Sequence, residues 1–362
     1  MSHITLSKIL PNAHSRIHRI AWSPSGQLLA GACSDCNVRL WNVSNHTLER
    51  TLHGHTDEVY CVVWSHNGAV VASGSADCTI RIWNSMTGNL MAILHGHEGP
   101  VYSLAYYSYG SEEVLASGSA TGTIRFWCPQ SGRLLRRVEG HHYGVNSLAW
   151  SSDGATLASG SKDGSIQLWE GRTGEKRSKL IIGHHGSVNT VSWSPKSDLL
   201  ASGGDDATIR LWDPRDGIER HRLEAHSGLI SRITFSPNTP FLASKSKDGR
   251  VLLWHTGTWK KVLKIDEPAP NTEWHGGLVF HPFDFNRLAT LGEFDSAVRV
   301  WRYDTDTILR NEQPWDTVHY TNAKVVLVGD SGVGKSGLAL VLMGRVFKPT
   351  ESTHGRKVYC IA

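Results

Sequence analysis

The sequence predicts an all-β fold assembled from seven copies of one unit, and three observations carry that expectation. Trp41, Trp83, Trp127, Trp169, Trp212, Trp254 and Trp301 close seven segments whose spacings, by subtraction, are 42, 44, 42, 43, 42 and 47. A period of this length marks a repeat architecture. The segments share residue types as well as length: LASGSKDGSIQLW ends at Trp169 and LASGGDDATIRLW at Trp212. Each also holds short β-rich runs set between turn signals.

The second unit shows the order of elements. Gly54-His55 opens it, VYCVVW is a first strand, Ser65 to Gly68 a polar turn, and VVASGS a second strand. Asp77 stands at the next turn, TIRIW is a third strand, and Asn89 to Leu94 supplies a fourth. The unit is therefore a four-stranded antiparallel sheet. Its apolar residues do not alternate cleanly, as expected when both faces of a sheet are covered, and sheets stacked radially in a ring cover one another in that way. The opening ITLSKILPNAHSRIHRIAW aligns with NLMAILHGHEGPVYSLAY, so residues 4–10 read as a fourth strand with no unit before it. That strand is expected to complete the seventh sheet and remove its free edge; residues 304–311 are the alternative.

Composition bounds the rest. A chain of 362 residues has room for two ordinary domains, but a closed repeat body uses most of that length. Six scattered cysteines, no signal peptide and no long apolar run predict a soluble, cytoplasmic protein. The net charge of +4 is small and the basic residues do not cluster, so neither nucleic acid nor membrane is an expected partner. A monomer is expected.

The repeat pattern resembles the WD-repeat family of β-propellers over about residues 3–301. The resemblance implies a seven-bladed propeller of four-stranded antiparallel blades within residues 1–303. In that family an Asp precedes the closing Trp by six positions, as Asp35, Asp77, Asp163, Asp206, Asp248 and Asp295 do here; the third unit has Thr121. The family's Gly-His pair falls at His55, His97, His141 and His184, with His226 after Ala225, His14 after Ala13, and Asn271 in the seventh unit.

His55, Ser73 and Asp77 are expected to meet at Trp83, and Ser, His and Asp together can make a nucleophilic triad. The set recurs as His97 and Ser117, as His141, Ser159, Asp163 and Trp169, and as His184, Ser202, Asp206 and Trp212. An enzyme has no use for several identical sites, so the expectation is a structural tether, with no catalytic residue and no cofactor in the propeller. Cys33 and Cys36 form a C-x-x-C, but Cys36 follows Asp35 as Cys78 follows Asp77, and the repeat itself explains the spacing.

Loops on a rigid scaffold carry recognition. By the resemblance, the partner-binding rim draws on Tyr60, Tyr102, Asn146, Asn189 and Arg232, with Lys162, Asp205 and Lys247 beside them and a long connection from Asp266 to Trp274. A protein partner is expected there.

After Trp301 the repeat stops, residues 304–323 read as a linker, and KVVLVGDSGVGKSGLALVLMG begins at Lys324. Gly329, Asp330, Ser331, Gly332, Val333, Gly334, Lys335 and Ser336 fit G-x-x-x-x-G-K-[ST] between an apolar run and a helical one. Glycines let successive N–H groups face phosphate oxygens, and the following helix adds its positive end. Lys335 would neutralise the β- and γ-phosphates and the Ser336 hydroxyl would ligate Mg²⁺. The segment resembles the start of a Ras- or Rab-like small GTPase. This implies GTP and Mg²⁺ as ligands, with Thr353 as a second Mg²⁺ contact at a spacing slightly off the Rab pattern. The resemblance covers 39 residues, 324–362, and neither D-x-x-G nor N-K-x-D follows within them. The expectation is an interaction scaffold joined to an incomplete nucleotide-binding segment; the alternative is a GTP-hydrolysing switch regulated by the propeller, if the natural chain continues.

Overall fold

The computed structural model describes residues 4–11, 15–109, 112–267, 277–292, 297–311, 324–325 and 359–360. Its strands β1 (Ile4–Ile9) to β28 (Val298–Tyr303) form seven four-stranded antiparallel sheets, the blades of a seven-bladed β-propeller. The innermost strands of the first six blades are β2 (Ile17–Trp22), β6 (Val59–Trp64), β10 (Val101–Tyr109), β14 (Val145–Trp150), β18 (Val188–Trp193) and β22 (Ile230–Phe235). The innermost strand of the seventh is β26 (Leu278–Phe280). Each touches the next around the ring, and β26 returns to β2.

Ring closure follows the expected route. β1 pairs antiparallel with β28, from Ile4 opposite Tyr303 to Ile9 opposite Arg299, so the first strand of the chain finishes the sheet that holds the last. Leu10 is buried beside Ile17, Ile20, Trp41, Val298 and Val300, and its N–H bonds the Val298 carbonyl at 2.9 Å. The Lys8 ammonium reaches the Val43 carbonyl at 2.7 Å. The alternative closing segment is instead a short helix, α1 (Thr305–Asn311), whose first turn is capped by Asp304 through the Thr307 N–H at 3.1 Å.

The hydrophobic core is a set of layers between blades. One layer joins Ala30, Val38 and Leu40 of the first blade to Val59, Val62 and Val71 of the second, and others repeat this pairing around the ring. The reason lies in VVASGS and its copies. A Cβ on Gly74 would stand 2.6 Å from Val101 Cγ1 of the next blade; Gly118 faces Val145, Gly160 faces Val188 and Gly203 faces Ile230 in the same way. Glycine on the second strand leaves the hole that a β-branched residue of the neighbouring inner strand fills. The inner-strand tryptophans add polar links, since the Trp64, Trp150 and Trp193 indoles donate to the carbonyls of Ala21, Ala105 and Ala149 of the preceding blade at 3.0–3.2 Å.

Residues Met1–Ile308 make one compact unit and Leu309–Ala362 another. In the second, Lys324–Val325 pairs antiparallel with Tyr359–Cys360. His14, Asn271, Asp295, Gly329 to Ser336 and Thr353 lie outside the described residues.

Removing Leu10 side-chain atoms opens a cavity at the closure seam. Leu10→Ala is expected to lower unfolding free energy by about 3 kcal/mol, read as a shift in urea midpoint, and deletion of residues 1–10 to lower it further and produce light-scattering aggregates. An unchanged midpoint in both would place closure elsewhere.

Candidate functional site

Five blades repeat one polar network. The His Nε2 to Ser Oγ distance is 2.7–2.8 Å for His55–Ser73, His97–Ser117, His141–Ser159, His184–Ser202 and His226–Ser244. The same hydroxyl accepts the closing indole N–H of Trp83, Trp127, Trp169, Trp212 or Trp254 at 2.7–2.9 Å. On the other side of the ring, His55, His184 and His226 Nδ1 meet Asp77, Asp206 and Asp248 at 2.8–3.0 Å, and His141 meets Asp163 at 3.3 Å. An ionised carboxylate only accepts, so Nδ1 carries the proton and Nε2 accepts from the serine. Each Asp also caps the next turn, as Asp77 does for the Thr56 N–H at 3.1 Å and the Thr79 hydroxyl at 2.7 Å.

The order Ser, His, Asp is that of a nucleophilic triad, but Ser73, Ser159 and Ser202 are 0% exposed and already accept an indole N–H. A substrate carbonyl has no path to those oxygens. The network joins the end of one strand to the middle of two others, which is the work of a tether.

Where the motif residues change, the network changes in kind. In the third blade Thr121 joins Ser119 and Thr123 in a hydroxyl cluster, and Thr123 Oγ1 lies 3.4 Å from His97 Nδ1. In the first blade Gly31 replaces the serine, Trp41 packs into the space it leaves, and Asp35 pairs with Arg39 at 2.5 Å. In the seventh, Thr290 accepts the Trp301 indole at 2.8 Å and bonds Glu267, whose other oxygen pairs with Lys245 of the sixth blade at 3.0 Å. This buried ion pair was not foreseen. Its signal was a Lys in LASKS where the other copies have Gly, Ala or, in the seventh, Leu291.

The rim candidates separate. Every inner strand of the first six blades slips register at its start, between Ile17 and Arg19, Val59 and Cys61, and equivalently around the ring to Ile230 and Arg232. The residue inside each bulge is His18, Tyr60, Tyr102, Asn146, Asn189 or Ser231. Arg232 is therefore one position further along than its supposed equivalents, and Ser231 takes the bulge. Tyr60 packs edge-on against His18 with centroids 5.1 Å apart and against Tyr102 at 5.5 Å, while Glu58 holds His18 Nε2 at 3.0 Å. Tyr143 of the next blade, beside Gly144, where a Cβ would stand 3.3 Å from the Tyr102 ring, is 62% exposed. Asn146 and Asn189 turn inward: both are buried, and their amides bond the Val188 and Ile230 carbonyls of the following blade at 3.1 Å. Lys162 and Asp205 are exposed and Lys247 is half-buried.

Cys36 and Cys78 share the left-handed turn position after the Asp, with φ of 65° and 64°, where Gly122, Gly164 and Gly249 stand in other blades. Among the described residues no group of His, Cys, Asp and Glu could hold a metal ion, and no helix is long and apolar enough to cross a membrane.

Comparison with protein-family models gives two matches. Residues 16–181 match the model described as IFT122 first beta-propeller, and residues 175–213 and 217–255 match WD domain, G-beta repeat. The chain is a β-propeller carrying WD repeats. No curated protein matches it.

Burial lowers the pKa of His55, His184 and His226 despite their carboxylates, and lowers His97 to about 3, with Arg125 and Arg137 adding to the effect. Burial alone would raise the acids, but hydrogen bonds from Thr79 and His55 overcome it and hold Asp77 at about 2; His184 and its neighbours lower Asp206 likewise. The unfolded chain takes up imidazole protons below about pH 6.5 and carboxylate protons below about 3.9. Throughout that window it binds more protons than the fold, so stability falls as pH falls. The melting temperature is expected to be flat above pH 7 and to drop continuously from there to pH 3. Asp206→Ala, which strips partners from His184, Thr208 and Arg210, is expected to lose about 3 kcal/mol in urea titrations at pH 7. A loss below half that value would show the tether to be weak.

Proposed function

We propose that the propeller is a protein-interaction scaffold whose partner docks on the rim of the first three blades. The observation that carries this reading is the edge-to-face run His18–Tyr60–Tyr102, placed on the bulges of three successive inner strands. Bulges lift these rings out of the strand ladder, and half-buried tyrosines on a rigid frame anchor interfaces at low entropic cost. The half-buried Glu58 and the exposed Asp57 and Glu98 border the run with negative charge, which favours a partner segment carrying Lys or Arg. The partner is protein and the setting cytoplasmic.

A second reading concerns the C-terminal segment. The sequence GDSGVGKS supports binding of GTP with Mg²⁺ at Gly329 to Ser336, with Thr353 as a further Mg²⁺ contact. The propeller would then regulate or recruit for that segment.

Tyr60→Ala combined with Tyr102→Ala is expected to weaken capture of the partner at least about tenfold without shifting the melting temperature, whereas Phe283→Ala, at a ring 65% exposed elsewhere, leaves capture intact. Equal recovery by the double variant and the native chain would remove the rim from the interface. For the nucleotide reading, titration of fluorescent GTP in Mg²⁺ is expected to show binding that Lys335→Ala abolishes; binding that ignores Lys335 defeats it.

A further inference from the structure

Inside the ring lies a cavity of about 630 Å³, lined among others by Ala21, Val63, Tyr106, Thr234, Phe235 and Val279. Ala21 belongs to β2 and Thr234 to β22, and successive alternate residues of a strand share a face. Arg19 and Arg232, two positions before Ala21 and Thr234, therefore lie on the cavity side of the same strands, beyond the bulges. The equivalent positions in the other blades are Cys61, Ser103, Ser147, Thr190 and Gly277, all small, and the blade between the two arginines is the one with glycine.

These two arginines have no counter-ion among the described residues: neither makes a hydrogen bond or ion pair to a carboxylate there. Burial lowers the pKa of each guanidinium, and the nearness of Arg19 pushes Arg232 down further. The neighbouring cation is handled differently, because Lys245, opposite Arg232 in the strand register, pairs with Glu267. Two like charges left unmatched in a partly desolvated enclosure are costly. They fit a fold that completes them with a ligand.

We propose that Arg19 and Arg232 form an anion site at the inner end of the central cavity, which takes a phosphate-bearing small molecule. A guanidinium presents its N–H groups in a fork matched to tetrahedral oxyanions. Two of them suit a doubly charged phosphate, where a single carboxylate would satisfy only one. Tyr106, Phe235 and Val279 give an apolar wall for whatever group the phosphate carries.

The test uses the full chain, with inorganic pyrophosphate and phenyl phosphate as probes, by calorimetry and thermal melts at constant ionic strength in chloride. Binding of pyrophosphate is expected to raise the melting temperature, and phenyl phosphate is expected to bind more tightly than inorganic phosphate. Arg19→Ser and Arg232→Thr copy the residues of other blades. Each is expected to weaken binding at least about tenfold, and the pair to abolish it while melting no lower than the native chain in chloride. Arg232→Lys retains part of the affinity and serves if the double variant does not fold. Lys335→Ala is expected to leave these affinities unchanged, which separates this site from the GDSGVGKS segment. Absence of heat and melting shift at millimolar pyrophosphate, undiminished affinity in the Arg19 and Arg232 variants, or loss in Lys335→Ala alone would each overturn the proposal.

Discussion

A blade of this propeller has no core of its own. Its second strand carries small residues such as Ala72, Gly74 and Gly118, and the space they leave is filled by Val101 or Val145 from the following blade. Every sheet is thus buried by its two neighbours, and the apolar layer that stabilises one is half supplied by the next. An open row would leave two such faces and two strand edges in water. The whole array therefore depends on the β1–β28 pairing, where residues separated by almost the full length of the ring meet, with Leu10 sealing the layer beneath.

The polar tethers are intelligible only within that packing. A neutral imidazole between a buried hydroxyl and a half-buried carboxylate satisfies all its ring nitrogens and fixes the turn after the second strand. The blades that lack a member fill its place in different ways. Gly31 lets Trp41 move into the vacated space, Thr121 substitutes a hydroxyl relay, and Glu267 brings a carboxylate directly to Thr290. In the third and seventh blades the replacement supplies new hydroxyl or carboxylate partners, as buried polar groups demand, whereas in the first the buried Trp41 indole is left without a hydrogen-bond partner.

The period of the tryptophans and the recurring Asp made blade number and strand order readable, and the orphan opening strand made closure readable too. These features depend on local pattern repeated many times. The rim was less legible because a β-bulge inserts one residue, and one residue reverses the facing of a side chain. Tyr60, Tyr102, Asn146 and Asn189 occupy the same bulge, yet the two tyrosines form an aromatic run while the shorter asparagines fold inward to bond a neighbouring backbone. Arg232 was misaligned with them by one position. Lys245 stood in plain view as a departure from Gly, but its partner Glu267 lies in the place of a motif Gly across a blade boundary, a relation that no spacing rule encodes.

Blade six concentrates these departures, and its two basic residues are cross-strand neighbours with opposite fates. Lys245 is neutralised by Glu267 and by the Leu291 carbonyl, so its charge is absorbed into the junction with the seventh blade. Arg232 has no such partner among the described residues and feels the charge of Arg19 across a blade with Gly277 at the matching position, just before its inner strand. Were packing alone at issue, a serine or threonine would fill either arginine position, as Ser103, Ser147 and Thr190 do, and would add an inter-blade hydrogen bond like those of Ser147 and Thr190. Two long cations in place of two short hydroxyls give up such bonds and add mutual repulsion. The two arginines thus depart from the pattern of the other blades, on the strands whose Ala21 and Thr234 line the central cavity.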